Sequence, residues 1–556
     1  MTSDKKPVRD LISLLSEHGV EHAVISPGSR NAPVSISLLE SPKFQTHTVV
    51  DERSAAFVAL GIAQHTRKPV VICCTSGSAS LNYHPAVAEA WFQKVPLIII
   101  TADRPEEWVG QEDGQTVFQR GAYGKHVRKE AQLAFSDDPD LDHYNQRLIN
   151  EVLLASLHPT PAPVHINLPL RENLYGRTGA DQWSPATIRQ TAPSRQLSSE
   201  QTSELLKDLK GKSILMVVGM LPPGTKLDGP LNAVASLPNV LVLTETTSNL
   251  CGPDMVSSID RLIMSMSDDE TRLFRPDVLI TMGHNIISKK IKALLRANKP
   301  GEHWHVDEAD ELVDTYQSLS RWIQVDPVHF IKSLDDSFRA PEITYGSEFR
   351  RIFRRGDERH EAFLASAVWS DMVAFGAITD TLPENSVVQM GNSSVVRYMQ
   401  LFPNRPDVMY FGNRGTSGID GCTSTAVGSA AVNGRLTTLV IGDISFFYDV
   451  NGLWNDLDKS RLKIIVINNG GGGIFRIIDG PLASGQLEKA FETPHGRSIK
   501  AVADMYKLSY RLATDLKSLK DELRELYNSE GCELLEIQTP TEMNDSVLKA
   551  YFRNLS

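Results

Sequence analysis

The stretch IGDISFFYDVNGLWNDLDKSRLKIIVINNGGGGIF, residues 441–475, contains the features that decide the fold. An apolar run ends at Gly442 and Asp443, a helical stretch follows, and a second apolar run ends in two asparagines and four glycines. This order is typical of a βαβ unit, in which two parallel strands end at the same edge of a sheet. The stretch therefore predicts a parallel sheet with polar groups gathered at the carboxyl ends of its strands.

Short apolar runs of this kind recur along the whole chain and end in Gly, Ser, Asn or Asp. Amphipathic stretches between them, such as VRDLISLLSEHG at 8–19, are typical of crossover helices. Alternating buried strands and helices predict an α/β protein with three doubly wound parallel-sheet domains. The runs are HAVISPGSR (22–30), VVICCTSGSA (70–79), LIIITADRP (97–105), ILMVVGM (214–220), VLVLTET (240–246), DVLITMG (277–283), LVIGDIS (439–445) and IIVINNGGGG (464–473).

Two polar or charged stretches, around 178–200 and 336–361, are typical of linkers and divide the chain into three parts of similar size. A chain of 556 residues also exceeds what one hydrophobic core usually supports. We therefore predict three domains, which comprise residues 1–180, 195–340 and 355–556.

The composition is that of an ordinary globular protein, with 41% hydrophobic and 22% charged residues. A net charge of -11 disfavours a nucleic-acid or anionic membrane surface. No window approaches the roughly 20 apolar residues that a membrane span requires. The five cysteines lack metal-type spacing, which favours reduced, structural thiols. We expect a cytoplasmic protein that binds neither nucleic acid nor membranes.

Oxygen ligands stand at both strand ends of the opening stretch. Asp443 offers a carboxylate, Asn469 offers an amide oxygen, and a glycine backbone permits close approach of its carbonyl or N–H group. A magnesium-like ion takes about six oxygens, commonly shared between a few protein groups and phosphates, and backbone N–H groups can face the phosphate oxygens. The Gly442–Asp443 pair alone is equally well explained as a turn, and the NNGGGG run alone as a flexible loop. Their spacing together favours a metal and diphosphate site.

The segment VVDERSAAFVALGIA (49–63) places an acidic pair between a strand and a helix. The pair, Asp51 and Glu52, has two explanations. Acidic residues at this position commonly cap a helix and interact favourably with its dipole. Alternatively, Glu52 is a functional carboxylate at the end of a strand. Without further information, capping is the stronger explanation.

Four arginines stand at strand ends or in glycine-rich turns. A single such arginine is more often part of a surface salt bridge. Four in these settings favour bidentate recognition of carboxylates, because the planar guanidinium matches a carboxylate in shape. They are Arg30 in SPGSR, Arg104 in TADRP, Arg397 in GNSSVVR and Arg414 in NRG.

The opening stretch resembles the fingerprint of thiamine diphosphate enzymes, Gly-Asp-Gly followed by Asn-Asn, with Ile444 in place of the second glycine. The combination of GDISFFYDVNGL with NNGGGGIF is similar to the 2-succinyl-5-enolpyruvyl-6-hydroxy-3-cyclohexene-1-carboxylate synthase family. The resemblance implies Mg²⁺ or Mn²⁺ bound by Asp443, Asn469 and the carbonyl of Gly471. It also makes Glu52, in a matching DER, the residue that activates the cofactor.

The resemblance implies further site residues. Ile419 in NRGTSGIDG would support the bent cofactor, and Ser445 and Ser393 would also contact it. Arg30, Arg397 and Arg414 would act in catalysis as well as in substrate binding. Lys289 in SKK is the least defined of these matches, because Lys290 and Lys292 stand nearby. The implied substrate-binding residues are Ser29, Arg30, Arg104, Gln115, Lys289, Ser393, Arg397, Arg414, Ile474, Phe475 and Ile478.

The reaction implied by the resemblance belongs to menaquinone biosynthesis. It is the thiamine diphosphate-dependent decarboxylation of 2-oxoglutarate, followed by Stetter-like addition of the succinyl-semialdehyde carbanion to isochorismate. Both substrates are dicarboxylates, which suits the arginines. Alternatives are another thiamine-dependent decarboxylase or carboligase, a catalytically silent ligand-binding protein, and, least favoured, an NAD enzyme.

Family resemblance also assigns roles to the predicted domains. The first would bind the pyrimidine of the cofactor, and the third would bind its diphosphate and metal. Active sites would lie between the subunits of a homodimer or homotetramer. One chain would contribute Glu52, and another would contribute the segment that contains Asp443 and Asn469. The middle domain would be Rossmann-like; because ILMVVGM lacks a G-x-G-x-x-G turn, we expect no flavin or nicotinamide.

Overall fold

The computed structural model describes residues 2–135, 139–179, 184–478 and 480–556. Within these ranges the chain forms three six-stranded sheets in which every neighbouring pair of strands is parallel. A short antiparallel pair, β1 (Thr2–Ser3) with β8 (Arg177–Thr178), lies apart from them. The predicted fold class, α/β with three doubly wound parallel sheets, is confirmed.

The first sheet has the strand order β3-β2-β4-β5-β7-β6. Its strands are β2 (His22–Ile25), β3 (Gln45–Thr48), β4 (Val70–Cys74), β5 (Leu97–Asp103), β6 (Glu130–Gln132) and β7 (Val164–Pro169). The helices are α1 (Lys6–Glu17), α2 (Ala32–Glu40), α3 (Glu52–Thr66), α4 (Ser78–Asn82), α5 (His84–Gln93) and α6 (Pro139–Ala155).

The middle sheet has the order β11-β10-β9-β12-β13-β14, which is that of a Rossmann fold. Its strands are β9 (Ile214–Val218), β10 (Val240–Thr244), β11 (Met255–Val256), β12 (Val278–Met282), β13 (Glu302–Val306) and β14 (Arg321–Ile323). The helices are α7 (Ser199–Leu209), α8 (Asp228–Ala235), α9 (Ile259–Met264), α10 (Asp268–Leu273), α11 (Lys289–Ala297), α12 (Pro327–Ser333) and α13 (Tyr345–Ser366).

The third sheet has the order β16-β15-β17-β18-β20-β19, which repeats the order of the first sheet. Its strands are β15 (Val387–Met390), β16 (Met409–Gly412), β17 (Thr437–Gly442), β18 (Leu462–Asn468), β19 (Ser509–Ala513) and β20 (Glu533–Gln538). The helices are α14 (Asp371–Thr381), α15 (Ser394–Met399), α16 (Cys422–Asn433), α17 (Asp443–Tyr448), α18 (Ile474–Ile477), α19 (Ile499–Met505), α20 (Leu516–Asn528) and α21 (Asn544–Leu555).

Helices α3 and α16 join the first and third domains through one continuous core. Their backbones approach closely at two glycines. A Cβ atom on Gly61 would lie 2.0 Å from the carbonyl oxygen of Thr425, and one on Gly428 would lie 2.0 Å from that of Val58. Any larger residue at either position would force the helices apart. This contact sets the position of the first sheet relative to the third.

The second predicted linker, 336–361, is wrong from residue 345 onward, because α13 (Tyr345–Ser366) occupies it. Phe349 and Ile352, three residues apart, pack into a core of the middle domain, and the guanidinium of Arg350 donates to three of its backbone carbonyls. Many of the charged residues that suggested a linker, such as Glu348 and Arg351, lie on the solvent-facing side of this helix, whereas Arg350 is buried. The first predicted linker, around 178–200, agrees better with the structure, because residues 184–198 contain no helix or strand.

The domain boundaries themselves stay predictions. Strands β2–β7 lie within 22–169, β9–β14 within 214–323, and β15–β20 within 387–538. Residues 1 and 180, where the first predicted domain begins and ends, lie outside the described residues. Among the described helices, no single one has the length and apolar composition of a membrane span; α13 and α14 meet that test only as a pair bent by 108°.

Candidate active site

Asp443 is the first residue of α17 and directly follows β17, so its carboxylate lies at the carboxyl edge of the third sheet. Only 2% of the residue is exposed. Its Oδ1 accepts a 2.7 Å hydrogen bond from the backbone N–H of Ile444. Its Oδ2 is buried, has no hydrogen-bond partner of good geometry and lies 3.3 Å from Nε2 of His495. A buried carboxylate oxygen without a donor is the arrangement expected of a cation ligand.

Burial raises the pKa of Asp443 to about 7, and the backbone N–H groups of Ile444, Gly470 and Gly471 oppose that rise. Burial also lowers the pKa of His495, which favours a neutral imidazole beside the carboxylate. Since burial makes the charged carboxylate costly, a divalent cation would relieve the penalty.

Asn469 follows β18 and is 7% exposed. Its Nδ2 donates a 3.1 Å hydrogen bond to Oδ2 of the buried Asp371. The other Asp371 oxygen accepts a 2.6 Å bond from the hydroxyl of Thr539. Because Asp371 binds the nitrogen of the amide, the oxygen of Asn469 is the atom available to a cation. Asp443 and Asn469 therefore form a donor set of hard oxygen atoms, which suits Mg²⁺ or Mn²⁺.

Ile419 lies in the loop between β16 and α16, next to α17. The hydroxyl of Ser445 donates a 2.7 Å hydrogen bond to the carbonyl of Ile419, which ties this loop to α17. From the other side, Nδ2 of Asn392 donates to the carbonyl of Gly418 at 2.6 Å. The structure thus places Ile419 and Ser445 together.

The three apolar residues predicted after the glycine run lie at the same edge of the sheet. Ile474 begins α18 and is buried, whereas Phe475 and Ile478 are partly exposed. The ring of Phe475 packs 5.6 Å, centroid to centroid, from that of Phe491. The run therefore presents apolar side chains beside Asn469.

Arg30 and Arg104 form a first basic group at the carboxyl edge of the first sheet, after β2 and β5. Arg30 is buried; it donates to the carbonyl of Leu170 at 2.8 Å and lies 3.1 Å from the carboxylate of Glu172. Burial lowers the pKa of Arg30, and so does the neighbouring charge of Arg104. The Nε atoms of both arginines are buried without a hydrogen-bond partner. Two guanidinium groups in mutual repulsion favour binding of an anion.

Ser29 and Gln115 are exposed at the same edge. Ser29 precedes Arg30 after β2. The backbone of Gln115 lies against Gly77, which follows β4, and has a φ of 58°. The ends of β2, β4 and β5 therefore bring these two polar residues to the first basic group.

Arg397 and Arg414 form a second basic group, where the third domain meets the middle domain. Burial lowers the pKa of Arg414, and the charge of Arg397 lowers it further. Nη1 of Arg414 donates a 2.7 Å bond to Asn392, while both Nε atoms are buried without partners. Ser393, immediately after Asn392, has a φ of 68° and begins the turn into the Arg397 helix.

Lys292, rather than Lys289, lies near the second basic group. Burial lowers the pKa of Lys292; the charge of Glu245 raises it, and those of Arg414 and Arg397 lower it. Lys289 is exposed at the start of α11. Spacing alone could not separate the two, because both stand on one short helix.

Glu52 is the first residue of α3, and its neighbour Asp51 provides the helix cap by accepting a 3.2 Å bond from the N–H of Ser54. The capping role considered for the pair therefore belongs to Asp51. Burial raises the pKa of Glu52. No hydrogen bond or ion pair among the described residues joins Glu52 to Asp443 or Asn469 of the same chain.

Sequence comparisons identify the family of this chain. Residues 6–125 match the family described as thiamine pyrophosphate enzyme, N-terminal TPP binding domain, and residues 179–353 match the middle domain of thiamine pyrophosphate. A 2-succinyl-5-enolpyruvyl-6-hydroxy-3-cyclohexene-1-carboxylate synthase of Flavobacterium johnsoniae is 40% identical over 99% of this chain and 98% of its own length. Its counterpart in Bacteroides thetaiotaomicron is 35% identical over the full length of both chains.

This chain belongs to the 2-succinyl-5-enolpyruvyl-6-hydroxy-3-cyclohexene-1-carboxylate synthase family. It is accordingly a thiamine diphosphate enzyme.

The structure of this synthase family member shows two buried acidic residues near the site, Glu245 and Asp371, that were not identified from the sequence. Glu245 is 1% exposed and accepts hydrogen bonds of 2.6 and 2.7 Å from the N–H groups of Ile287 and Ser288. Its position just after β10, in the run VLVLTET, was a signal that could have identified it. Asp371 had no comparable signal, because it begins a helix far from Asn469 in sequence.

Proposed function

We propose that the chain decarboxylates 2-oxoglutarate and adds the remaining four-carbon unit to isochorismate, using thiamine diphosphate and a divalent metal ion, in menaquinone biosynthesis. The observation that carries the proposal is the pairing of Asp443, with an unbonded buried oxygen, and Asn469, whose amide nitrogen is held by Asp371. Two basic groups lie at the same edges of the sheets. The proposed product, 2-succinyl-5-enolpyruvyl-6-hydroxy-3-cyclohexene-1-carboxylate, is taken from the names of the relatives.

Asp443, Asn469 and the carbonyl of Gly471 would hold Mg²⁺ or Mn²⁺. Two lines of support are the raised pKa of Asp443 and the all-oxygen donor set. The glycines after Asn469 leave backbone N–H groups free of side chains, which suits a diphosphate. Thiamine diphosphate, when bound, supplies the electron sink that decarboxylation requires.

Glu52 would activate the cofactor by sharing a proton with its pyrimidine ring. Burial raises the pKa of Glu52, so the carboxyl group holds its proton more readily than an exposed glutamate does. Asp51 already caps the helix, which leaves the Glu52 carboxyl free for this role. Ile419 would contact the bent cofactor and support its conformation. Ser445 would hold the loop of Ile419 through its hydrogen bond to the Ile419 carbonyl.

The two basic groups would orient the carboxylates of the two substrates. Arg30 and Arg104, with Ser29 and Gln115 beside them, would form one carboxylate site. The second would consist of Arg397, Arg414, Ser393 and a lysine of α11, for which we propose Lys292. Burial strengthens an ion pair with a bound carboxylate because little water competes.

Ile474, Phe475 and Ile478 would form an apolar wall over the reacting atoms. Such a wall excludes water and limits protonation of the reactive carbon before isochorismate arrives.

The active site would lie between two copies of the chain. No hydrogen bond among the described residues joins Glu52 to Asn469 of the same chain, and Ser29 and Gln115 are exposed at the edge of the first sheet. A second copy that presents Asp443 and Asn469 to Glu52 would complete the site. The chain would then be active as a homodimer or a higher oligomer.

A coupled assay tests the proposal. We expect release of carbon dioxide when purified protein receives thiamine diphosphate, Mg²⁺, 2-oxoglutarate and isochorismate. We also expect formation of 2-succinyl-5-enolpyruvyl-6-hydroxy-3-cyclohexene-1-carboxylate. Omission of isochorismate is the control for simple decarboxylation. Carbon dioxide release without joining of the substrates would instead identify another thiamine-dependent decarboxylase. Absence of metal-dependent thiamine diphosphate binding by calorimetry would contradict the proposal altogether.

A further inference from the structure

Residues 413–418, here termed the Arg414 loop, follow β16 and lead into α16. Glu89, on α5 of the first domain, is 1% exposed and contacts this loop. Its Oε1 accepts a 2.6 Å hydrogen bond from the N–H of Gly415. Its Oε2 accepts 2.6 Å bonds from both the N–H and the hydroxyl of Thr416. One carboxylate of the first domain thus binds two consecutive backbone groups of the third.

The middle domain holds the same loop from another side. Nδ2 of Asn285 donates to the carbonyls of Arg414 and Gly415, at 2.5 and 3.2 Å. Gly415 also fits tightly, because a Cβ atom there would lie 2.5 Å from the backbone carbonyl oxygen of Glu89. All three domains therefore meet at residues 414–416 of the Arg414 loop.

The side chain of Arg414 is buried but forms few hydrogen bonds. Its guanidinium makes one hydrogen bond, from Nη1 to Asn392, and its Nε is buried without a partner. Because the guanidinium has only this hydrogen bond among the described residues to hold it, its placement depends on where the backbone of Arg414 lies. Glu89 acts on that backbone directly beside Arg414.

We infer that Glu89 is a positioning residue that holds Arg414 where it binds a substrate carboxylate. This inference rests on the proposed role of Arg414. Hydrogen bonds to an ionised carboxylate are about twice as strong as neutral ones, so Glu89 is well suited to fix a loop of small residues. Misplacement of a substrate-orienting group by about 1 Å can reduce the rate roughly a hundredfold.

Glu89→Gln keeps the shape of the side chain but replaces one oxygen with an NH₂ group. Each oxygen of Glu89 accepts from a backbone N–H of Gly415 or Thr416, so the NH₂ group would face a donor. The loop would then have to shift.

We expect Glu89→Gln to raise the KM of one dicarboxylate substrate roughly tenfold to a hundredfold, the usual effect of losing a charged hydrogen bond to the substrate, with a smaller change in kcat. Binding of thiamine diphosphate with Mg²⁺ should change little, whereas the urea unfolding midpoint should fall, because a buried N–H group loses its acceptor. Gly415→Ala, which displaces the loop while Glu89 keeps its charge, should raise the same KM. The matched control is Glu342→Gln, since Glu342 is an exposed glutamate on the surface.

The decisive experiment combines Glu89→Gln with Arg414→Ala. If Glu89 acts through Arg414, the KM increase caused by Glu89→Gln disappears when Arg414 is already absent. An equal increase in both backgrounds would overturn the inference. The inference would also be overturned if the KM values of both substrates rose equally and thiamine diphosphate bound more weakly. Those are the effects expected of a residue with only a structural role.

Failure of the proposed role of Arg414 is distinguishable from failure of this inference. If Arg414→Ala alone leaves both KM values unchanged, the substrate role of Arg414 is wrong, and the inference falls with it. If Arg414→Ala raises a KM but neither Glu89→Gln nor Gly415→Ala does, only the role of Glu89 is wrong.

Discussion

Nδ2 of Asn469 donates a 3.1 Å hydrogen bond to Oδ2 of Asp371, a buried carboxylate 98 residues away in sequence. An amide can bind a cation only through its oxygen. A carboxylate partner, which accepts hydrogen bonds, therefore selects the orientation of Asn469 that leaves this oxygen free. Partners of metal ligands commonly affect metal affinity in this way.

Asp371→Ala should weaken the Mg²⁺-dependent binding of thiamine diphosphate by roughly tenfold to a hundredfold, as is usual for the partner of a metal ligand. Calorimetric titration of thiamine diphosphate at several Mg²⁺ concentrations measures the effect. Thr539→Val is the matched control, because it removes another hydrogen bond of Asp371 but leaves Asn469 in place. Identical Mg²⁺ dependence in wild type and Asp371→Ala would disprove the role of Asp371.

Mixing of two inactive variants should restore activity. Glu52→Gln should bind thiamine diphosphate but turn over very slowly, and Asp443→Asn should lose metal-dependent binding. A mixed dimer would contain one site with both changes and one with neither. After subunit exchange of equal amounts, we expect about a quarter of wild-type activity, from simple pairing statistics of a two-fold dimer. No recovery despite verified exchange would place Glu52 and Asp443 in the same chain's site.

Lys292→Ala should raise the KM of a dicarboxylate substrate roughly tenfold to a hundredfold, the usual effect of losing a charged hydrogen bond. Lys289→Ala should change it little, because Lys289 is exposed whereas Lys292 lies near the charges of Arg397 and Arg414. Steady-state kinetics on both variants measure the difference. The reverse ranking would assign the substrate contact to Lys289.

Asp449 should make the unfolding free energy depend on pH. Burial raises its pKa to about 7, so the folded state favours the protonated form. Its contribution to stability is then complete below pH 4 and is lost as pH rises toward 7, with a slope of up to about 1.4 kcal/mol per pH unit. Asp449→Asn should flatten this dependence, because an amide can accept from the N–H of Ser424 and donate to its hydroxyl.

Urea unfolding between pH 4 and pH 8 measures the effect of Asp449. Asp456→Asn is the matched control, since Asp456 is an exposed aspartate of the same segment. An unchanged slope in Asp449→Asn would show that other buried carboxylates, such as Glu245, produce the pH dependence.

Eight of the twelve interior strands were predicted as apolar runs; the interior strands β7, β13, β15 and β20 and the six edge strands were not. All eight apolar runs contain strands of the structure, because a strand covered on both faces needs a continuous apolar sequence. Edge strands such as β3 (QTHT) and β19 (SYRLA) are partly exposed and carry polar residues. Their sequences lack the apolar run, and only pairing with a neighbouring strand makes them extended.

Helix α13 shows a different limit. Its sequence is dominated by charges, which are typical of a linker, yet Phe349 and Ile352 provide a narrow apolar face. A few apolar residues form a stable helix only when another surface is present to bury them. The middle sheet provides that surface.

The sequence by itself determined the α/β class, the family and the residue types at the strand ends, because these depend on local pattern and on the order of motifs. Tertiary structure decided which of these residues meet. Asp371 bonds Asn469, Glu89 bonds the loop of Arg414, and Lys292 lies near the arginines although Lys289 fitted the motif equally well. Such contacts join elements that are distant in sequence, and only the packing of sheets and helices sets their geometry.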